Sequence, residues 1–179
     1  MFMNSSNVSL TPEQLKVKLF GKLWLQQTRL AEIIRILGPV DSQDCLDLVN
    51  DEAVSFGLRQ SNAHQGCRWH SAAVNSAKLE SLRALLGDRV HLVGGAQLPF
   101  EDGAFDAVVL SDELEYLEQD EAFIAECHRV LKPSGRLVIS AAQAKAWSLA
   151  RGFREVMGLV DKNRPMVRPG YTESRLFEV

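Results

Sequence analysis

The stretch that decides the fold is residues 98–140, LPFEDGAFDAVVLSDELEYLEQDEAFIAECHRVLKPSGRLVIS. Within it, a short apolar run at 105–110 predicts a buried strand, and apolar residues at helical spacing predict a helix over 120–131. The KPSG segment that follows has a proline that cannot continue a helix and a glycine, Gly135, that can adopt positive φ. We therefore predict a tight turn at 132–135, followed by a strand from Arg136 to Ile139.

Short apolar runs and helical segments alternate in the preceding part of the chain as well. The predicted strands are 45–49, 66–74 and 90–93, and the predicted helices are 53–59 and 77–86. Such alternation favours right-handed βαβ units and a parallel sheet. The sequence therefore predicts an α/β fold.

The N-terminal part predicts a tail followed by one long helix. Residues 1–10 are polar and short-sided, and we interpret them as a flexible tail. Thr11 can cap a helix, Pro12 suits its first position, and apolar residues then recur at helical spacing up to Leu37. Gly38 and Pro39 end this helix. We expect one domain over residues 11–179, since a chain of this length can bury a core of its own.

Composition excludes several functional classes. The 179 residues are 46% hydrophobic and 24% charged, which is typical of a globular protein rather than a disordered chain. A net charge of -3 provides no broad positive field for phosphates, so we expect no nucleic-acid binding. No apolar stretch is long enough for a membrane span, so we expect no membrane association. Three cysteines without a paired spacing favour a reducing, cytoplasmic compartment.

The 98–140 stretch resembles the second half of class I S-adenosylmethionine (SAM)-dependent methyltransferases, particularly the small-molecule, type 11-like group. The resemblance rests on three features in register: the LPF turn at 98–100, the FD pair at 105–106, and RVLKPSG at 129–135. It covers about residues 25–140. It implies a doubly wound, Rossmann-like, mainly parallel sheet of order 3-2-1-4-5, with the last two strands of the family fold missing.

The resemblance places a cofactor loop directly after the first strand. In the family a D-x-G-x-G-x-G turn lets backbone amides approach the amino-acid end of SAM, whereas this chain has DLVNDEA at 47–53. Asp47 keeps the acidic position, but side chains replace all three glycines, and β-branched Val49 is poorly suited to positive φ. Asp51 and Glu52 add two negative charges where the ligand carboxylate would lie. The repulsion between one such side-chain charge and the ligand carboxylate, about 4 Å apart, costs on the order of 4 kcal/mol at an effective dielectric constant of about 20.

The resemblance also implies changes at the ends of the other strands. Ala73 corresponds to the acidic residue that accepts hydrogen bonds from the ribose hydroxyls, and Gly95 corresponds to the aspartate that holds the adenine amino group. Asp112 lies in the loop after the fourth strand, where these enzymes line the cofactor and substrate pocket. The implied cofactor positions are therefore Asp47, Val49, Asp51, Ala73, Gly95 and Asp112, and the cofactor motifs are degenerate.

The acidic run after the fourth strand, SDELE at 111–115, allows two interpretations. In the first, the carboxylate of Asp112, Glu113 or Glu115 acts as an acid, a base or a cation ligand. In the second, the run is a solvated loop and helix start, because carboxylates favour a helix N-terminus. The catalytic residues therefore stay unassigned.

A metal site is not expected. His64, Cys67 and His70 have a suitable residue composition for zinc. However, an offset of three along a strand points Cys67 and His70 to opposite faces, and His64 falls in the preceding loop.

The end of the sequence, YTESRLFEV, resembles the helix that precedes the last two strands of the family fold. Without those strands, the strand from Arg136 to Ile139 has an open edge that can pair with another chain. We expect a homodimer or a partner protein at this edge. The alternatives are that C-terminal residues cover the edge or that the sequence is a piece of a longer chain.

Two functions remain open from the sequence. The first is a methyltransferase-like protein with impaired or lost SAM binding that acts as a binding or regulatory module and needs no cofactor. The second is an active methyltransferase with altered cofactor contacts that uses SAM on a small-molecule acceptor. A nucleotide-binding oxidoreductase is disfavoured, because no G-x-G-x-x-G follows the first strand.

Overall fold

The structure is a computed structural model that describes residues 24–40, 43–48, 52–64, 66–73, 76, 79–95, 97–143 and 167–178. The elements in chain order are helix α1 (Trp24–Leu37), β1 (Asp44–Leu48), α2 (Glu52–Gln60), β2 (Arg68–Ala73), α3 (Leu79–Leu86), β3 (Val90–Leu92), β4 (Phe105–Ser111), α4 (Asp120–Val130), β5 (Leu131–Ser140) and α5 (Glu173–Glu178). Short 3-10 turns lie at Asn62–His64 and Leu114–Tyr116. The tail predicted at 1–10 and the helical residues predicted at 11–23 lie outside the described residues.

The five strands form one parallel sheet in the order β3-β2-β1-β4-β5. This confirms the α/β class that the sequence pattern predicts and the doubly wound architecture and strand order that the resemblance implies. The strand order reverses between β1 and β4, so the carboxyl ends of these strands border the crevice where doubly wound folds bind ligands. The sheet therefore places the ends of β1 to β4 at one candidate site.

The helices cover the two faces of the sheet with separate apolar clusters. On one face, α1 and α2 pack on β1, β4 and β5 through residues that include Ile33, Leu37 and Val54. On the opposite face, α4 packs through Phe123 and Cys127, and Leu176 of α5 joins the same cluster. Alternating side chains of β1, β2, β4 and β5 supply both clusters, as expected for a sheet buried on two sides.

Helix α1 ends where the sequence predicts. Gly38 has a φ of +67° and donates its amide to the carbonyl of Ile34 at 3.0 Å, which is a left-handed C-terminal cap. Arg136 of β5 donates to the carbonyl oxygens of Leu37 and Pro39 just beyond the helix. These contacts hold the end of α1 against the edge of the sheet.

The start of β5 differs from the prediction. The strand begins at Leu131, which pairs with Phe105, and not at Arg136, which pairs with Ala107. Residues 132–135 therefore bulge out of register, and Ser134, with a φ of +69°, is the left-handed residue instead of Gly135. Gly135 is required for a different reason, because a Cβ there would lie 2.9 Å from the carbonyl oxygen of Lys132.

The C-terminal segment 167–178 packs beyond the end of β5. Tyr171 donates its amide to the carbonyl of Ala142 at 2.8 Å and pairs with Gln143 in a single parallel bridge. Helix α5 follows, in agreement with the helix predicted for the final residues. Among the described residues, no strand pairs with the outer edge of β5 itself.

Candidate functional site

Four of the six predicted cofactor positions lie within the described residues, at or near the carboxyl ends of β1 to β4. They are Asp47, Ala73, Gly95 and Asp112. Val49 and Asp51 lie outside the described residues. The sheet register sets Asp47 beside Ser71 of β2 and Val109 of β4, so the ends of these strands are neighbours.

Asp47 is held inside the protein by an ion pair. Its side chain is 2% exposed, and its Oδ1 accepts hydrogen bonds from Arg59 Nη1 at 3.0 Å and from Ser71 Oγ at 2.9 Å. Arg59 Nη2 also donates to Ser71 Oγ at 2.5 Å, which closes a three-residue network between α2, β1 and β2. The other carboxylate oxygen, Oδ2, is buried without a hydrogen-bond partner. Sequence patterns alone do not indicate Arg59 or Ser71 as partners of Asp47.

Ala73 and Gly95 provide no polar side-chain atom at the ends of β2 and β3. Ala73 is the last residue of β2, is buried, and accepts the amide of Val93 at 2.9 Å through its backbone oxygen. Gly95 has a φ of +85° and is exposed, and a Cβ built on it would meet nothing within 4 Å. Neither residue can therefore accept a hydrogen bond from a ribose or an adenine through its side chain.

Asp112 directly follows β4 and is paired with the N-terminal helix. Its backbone has a φ of +51°, and its amide donates to the carbonyl of Ser140 at 2.7 Å. Its carboxylate forms an ion pair with Arg29 of α1. Both side chains are about three-quarters buried, so α1 covers the end of β4 at this point.

The interpretation of residues 111–115 as a solvated acidic run is wrong. Glu113 and Glu115 are both buried, and Glu115 is 1% exposed. The Glu115 Oε1 atom accepts the amide of Ala142, while Oε2 and the hydroxyl of Ser111 are buried without hydrogen-bond partners. Residues distant in sequence cover this run, since the amides of Val167 and Arg168 donate to the backbone oxygen of Glu115.

A second buried network attaches the C-terminal segment to the start of α4. Asp120 Oδ2 accepts hydrogen bonds from Tyr171 at 2.7 Å and from Arg168 at 2.6 Å. Burial alone would raise the pKa of Asp120, but the hydrogen bond from Tyr171 and the charge of Arg168 hold that pKa below its ordinary value. Burial and the contact with Asp120 raise the pKa of Tyr171 to about 12. The network therefore favours an ionised Asp120 and a protonated Tyr171.

The residues of the LPF and RVLKPSG motifs contact one another. Arg129 donates to the carbonyl oxygens of Leu98 and Phe100, and it pairs with Asp102 at 2.6 Å and Glu126 at 2.8 Å. These contacts tie the loop before β4 to helix α4. The motifs that carried the resemblance therefore have a structural role in this part of the chain.

His64 and His70 lie on opposite faces of the sheet. The ring of His64 contacts Trp69, whereas His70 stacks on His91 with a ring-centroid distance of 5.5 Å. In the described ranges, no group of three histidine, cysteine, aspartate or glutamate side chains has the proximity that a metal ion requires. The described helices are also all too short or too polar to cross a membrane.

Comparison with known families matches residues 57–139 to a methyltransferase domain. The demethylmenaquinone methyltransferase of Corynebacterium glutamicum is 31% identical over 121 residues, which are 66% of this chain and 48% of that protein. The enzyme of the same name from Mycolicibacterium paratuberculosis is 37% identical over 121 residues, 66% of this chain and 47% of that protein. The chain thus spans about half the length of these curated relatives.

Solved structures share the fold. A SAM-dependent methyltransferase from Aquifex aeolicus superimposes with a TM-score of 0.55 at 16% identity, covering 78% of this chain and 77% of that one. At this identity the likeness concerns the arrangement of strands and helices. The family match begins after β1 and the 49–51 segment, so it covers neither Asp47 nor the position of the cofactor loop.

Proposed function

We propose that this protein, whose residues 57–139 match a methyltransferase domain, keeps the scaffold of the class I SAM-dependent methyltransferases but binds SAM weakly or not at all, and acts as a binding or regulatory module. The observation that carries the proposal is the buried network of Asp47. Its Oδ1 is already engaged by Arg59 and Ser71, so the retained acidic residue stabilises the protein itself.

The other described positions fit SAM poorly. The ribose hydroxyls need an acceptor, and Ala73 has only a methyl group, while Gly95 has no side chain to hold an adenine amino group. Asp112 is engaged by Arg29. A ligand hydroxyl that loses its hydrogen-bond partner on burial costs about 1–3 kcal/mol, so two such losses weaken binding by orders of magnitude. The described residues at these positions thus assign no side chain to a methyl-transfer step.

Calorimetric titration with SAM and with S-adenosylhomocysteine tests the proposal. We expect no measurable heat of binding, or dissociation constants in the millimolar range or weaker, because Ala73 and Gly95 offer no side-chain acceptor. Dissociation constants in the micromolar range would contradict the proposal.

A variant with both acidic side chains restored sharpens this titration. Ala73→Asp combined with Gly95→Asp returns one acceptor to the ribose position and one to the adenine position. We expect the affinity for SAM to rise by at least about tenfold over the parent, since a hydrogen bond to a charged group contributes about 1.5–3 kcal/mol. Circular dichroism of both proteins controls for folding, because Ala73 is buried. An unchanged affinity in a folded variant would mean that the acceptors are not what limits binding.

We further propose that the module binds a second copy of the chain through the outer edge of β5. Residues 131–140 pair with β4 on one side, and among the described residues no strand occupies the other side. An open edge carries amide and carbonyl groups that can pair with another strand. Light scattering and hydrogen exchange of the β5 amides test this proposal. We expect a dimer mass and slow exchange of the outward-facing amides at high protein concentration, whereas a monomer with fast exchange there would contradict it.

The alternative function is an active SAM-dependent methyltransferase with altered cofactor contacts. The names and 31–37% identity of the two relatives favour it. Incubation with SAM and a demethylated menaquinone, with S-adenosylhomocysteine as the measured product, separates the two proposals. Quinone-dependent formation of S-adenosylhomocysteine would support the alternative. It would contradict the proposal that the protein is a binding or regulatory module with weak or no SAM binding.

A further inference from the structure

His70 of β2 and His91 of β3 form a pair on one face of the sheet. The strand register places His91 beside Ala72, so the two histidines are diagonal neighbours on the same face. His70 Nδ1 lies 3.3 Å from His91 Nε2, the ring planes differ by 20°, and the ring centroids are 5.5 Å apart. The centroid distance exceeds the distance between the nitrogens by about two ring radii, so both nitrogens lie close to the line that joins the ring centres. The two rings therefore share one N–H···N hydrogen bond.

This hydrogen bond limits how many protons the pair can hold. In the neutral pair, one of the two facing nitrogens carries the hydrogen and the other accepts it. A first added proton binds a nitrogen that faces away from the partner ring, so the hydrogen bond persists. A second proton can bind only at the facing acceptor, where it replaces the hydrogen bond by two facing donors with like charges. The second proton and the hydrogen bond therefore exclude one another.

The surroundings of the pair oppose its protonation. Both rings are half-buried, and burial lowers the pKa of each histidine because it disfavours the charged form. Neighbouring positive side chains lower these pKa values further, and a carboxylate raises that of His70; they are Arg68, Arg83 and Arg89, and Asp44. The 98–100 loop and β4 contribute uncharged rings to the contact, those of Phe100 and Phe105. The neutral pair is thus the state that the closed structure favours.

Strand β3, which carries His91, is the shortest strand of the sheet. It has three residues and pairs with β2, and among the described residues no strand pairs with its other side. The amides of Ser71 and Val93 donate to carbonyl oxygens across the boundary between β2 and β3, at 2.8 and 2.9 Å. Short elements at an edge open at a lower free energy than the whole domain. Release of β3 is therefore the least costly way to separate two charged histidine rings.

We propose that the His70–His91 pair is an acid-sensitive switch that controls whether β3 is attached to the sheet. The neutral or singly protonated pair keeps its hydrogen bond, and β3 stays on β2. The second proton removes that bond, and β3 separates while β1, β4 and β5 remain paired. Because Gly94 and Gly95 directly follow β3, its release also changes the backbone at the candidate cofactor position Gly95. The inference does not depend on whether SAM binds.

Nuclear magnetic resonance of the labelled full chain tests the shared hydrogen bond. At pH 7.5 we expect a scalar coupling between the two facing ring nitrogens of His70 and His91, transmitted through the hydrogen bond. At pH 4.5 we expect this coupling to be absent, because both facing nitrogens then carry hydrogens. Absence of the coupling at pH 7.5, or its persistence at pH 4.5, would overturn the proposal.

Amide hydrogen exchange in the same samples tests the release of β3. The observed rates are divided by the intrinsic rate at each pH, which gives a protection factor. We expect the protection of the Ser71 and Val93 amides to fall at least about tenfold between pH 7 and pH 5. At pH 5 it should be at least about tenfold lower than that of the Asp112 amide, which donates to Ser140 across β4 and β5. Unchanged protection at Val93, or equal protection of all three amides at pH 5, would overturn the proposal.

Two reciprocal variants and a control separate the switch from general acid effects. Glutamine can still hydrogen-bond to the remaining histidine but cannot take up a proton, so His91→Gln and His70→Gln each remove the second protonation. In either variant the protection at Val93 should change less than about threefold between pH 7 and pH 5. His128→Gln, which replaces an exposed histidine on α4, should behave like the parent. Circular dichroism at pH 7 identifies the folded variants. A parent-like loss of protection in a folded glutamine variant at position 70 or 91 would overturn the proposal.

Discussion

The two parts of the sheet differ in whether the residues of the methyltransferase motifs are retained and in what those residues contact. Residues 98–143, which form β4, α4 and β5, retain the motifs, and the structure shows these residues in contact with one another. Residues 44–95, which form β1 to β3, retain the strands, but the described positions Ala73 and Gly95 have no acceptor side chain at the ends of β2 and β3. Asp106 of the first region, for example, accepts hydrogen bonds from Lys132 Nζ at 2.8 Å and from the Asp44 amide at 3.0 Å.

The difference indicates which residues the fold itself requires. A motif residue that contacts other residues of the chain stabilises the folded state, so replacing it lowers the free energy of unfolding. A residue whose family role is to contact a ligand can change without that cost. Asp47 lies in the region of β1 to β3, where the family positions contact a ligand. However, its own contacts are with Arg59 and Ser71, so it stabilises the folded state.

The largest expected effect comes from Asp47→Ala. This change leaves the guanidinium of Arg59 largely buried without its carboxylate, and breaking such a pair costs about 3–5 kcal/mol in the free energy of unfolding. Urea denaturation followed by circular dichroism measures the loss. Adding Arg59→Leu in the same chain should recover part of it, because the unpaired charge is then removed. A loss below about 1 kcal/mol would contradict a structural role for Asp47.

Arg129→Ala should have the next largest effect. The change removes hydrogen bonds to two backbone oxygens and pairs with two carboxylates, and we expect a loss of about 2–3 kcal/mol in the same denaturation experiment. The matched control is Arg35→Ala, whose exposed pair with Glu32 contributes less than about 1 kcal/mol. If the two variants lost equal stability, the motif contacts would not be what holds residues 98–143 together.

The pH dependence of the free energy of unfolding tests the contact between β2 and β3, where His70 lies beside His91. Burial lowers the pKa of both His70 and His91, and the neighbouring charges of His91 on His70 and of Arg83 on His91 lower them further. In the unfolded chain these pKa values are about 6.5, so the unfolded state binds more protons below that pH. The stabilisation is therefore complete above about pH 6.5 and is lost as the pH falls through the lower folded values.

We accordingly expect the free energy of unfolding to decrease between pH 7 and pH 5, measured in urea at constant ionic strength. His91→Gln removes one titrating group and should reduce this dependence. The carboxylates whose folded pKa is lowered, such as Asp120 and Glu126, contribute only below about pH 4.5, so they leave this range undisturbed. A pH profile that is flat from 7 to 5 in the parent would be inconsistent with a lowered pKa of the partly buried pair His70 and His91.

The smallest expected effect distinguishes two neighbouring glycines after β3. Gly95 has a φ of +85° and Gly94 does not have positive φ, while a Cβ at either position meets nothing within 4 Å. Gly95→Ala should therefore cost about 1–2 kcal/mol in unfolding free energy through backbone strain alone. Gly94→Ala, the control, should cost less than half of that. Equal effects would mean that backbone conformation does not explain the glycine at position 95.

Local sequence patterns are sufficient to predict the strands, because apolar runs and turn residues are short-range signals, whereas the strand order follows from the resemblance to the methyltransferase family. The network of Asp120, Arg168 and Tyr171 could not be predicted in this way, since its members are about 50 residues apart. The same reason explains the error at Glu113 and Glu115. Their run reads as a solvated loop until the segment 167–178, far along the chain, is placed beside it.

The Arg59–Asp47 pair is equally hard to predict, because an acidic residue near the end of a strand, at a position that matches a family motif, favours a ligand role when read alone. The left-handed residue at 132–135 was also misassigned, since Gly135 is the usual choice and only the packing against Lys132 shows why it serves another purpose. The sequence thus predicts where the candidate site lies in the fold but not which contacts its residues make.

A crystal structure determined in the presence of millimolar S-adenosylhomocysteine tests the central claim most directly. We predict no nucleotide density along the carboxyl ends of β1 to β3, with Asp47 still bound by Arg59 and Ser71. Well-defined nucleotide density over residues 49–53, with its ribose at Ala73 and its adenine at Gly95, would contradict the account.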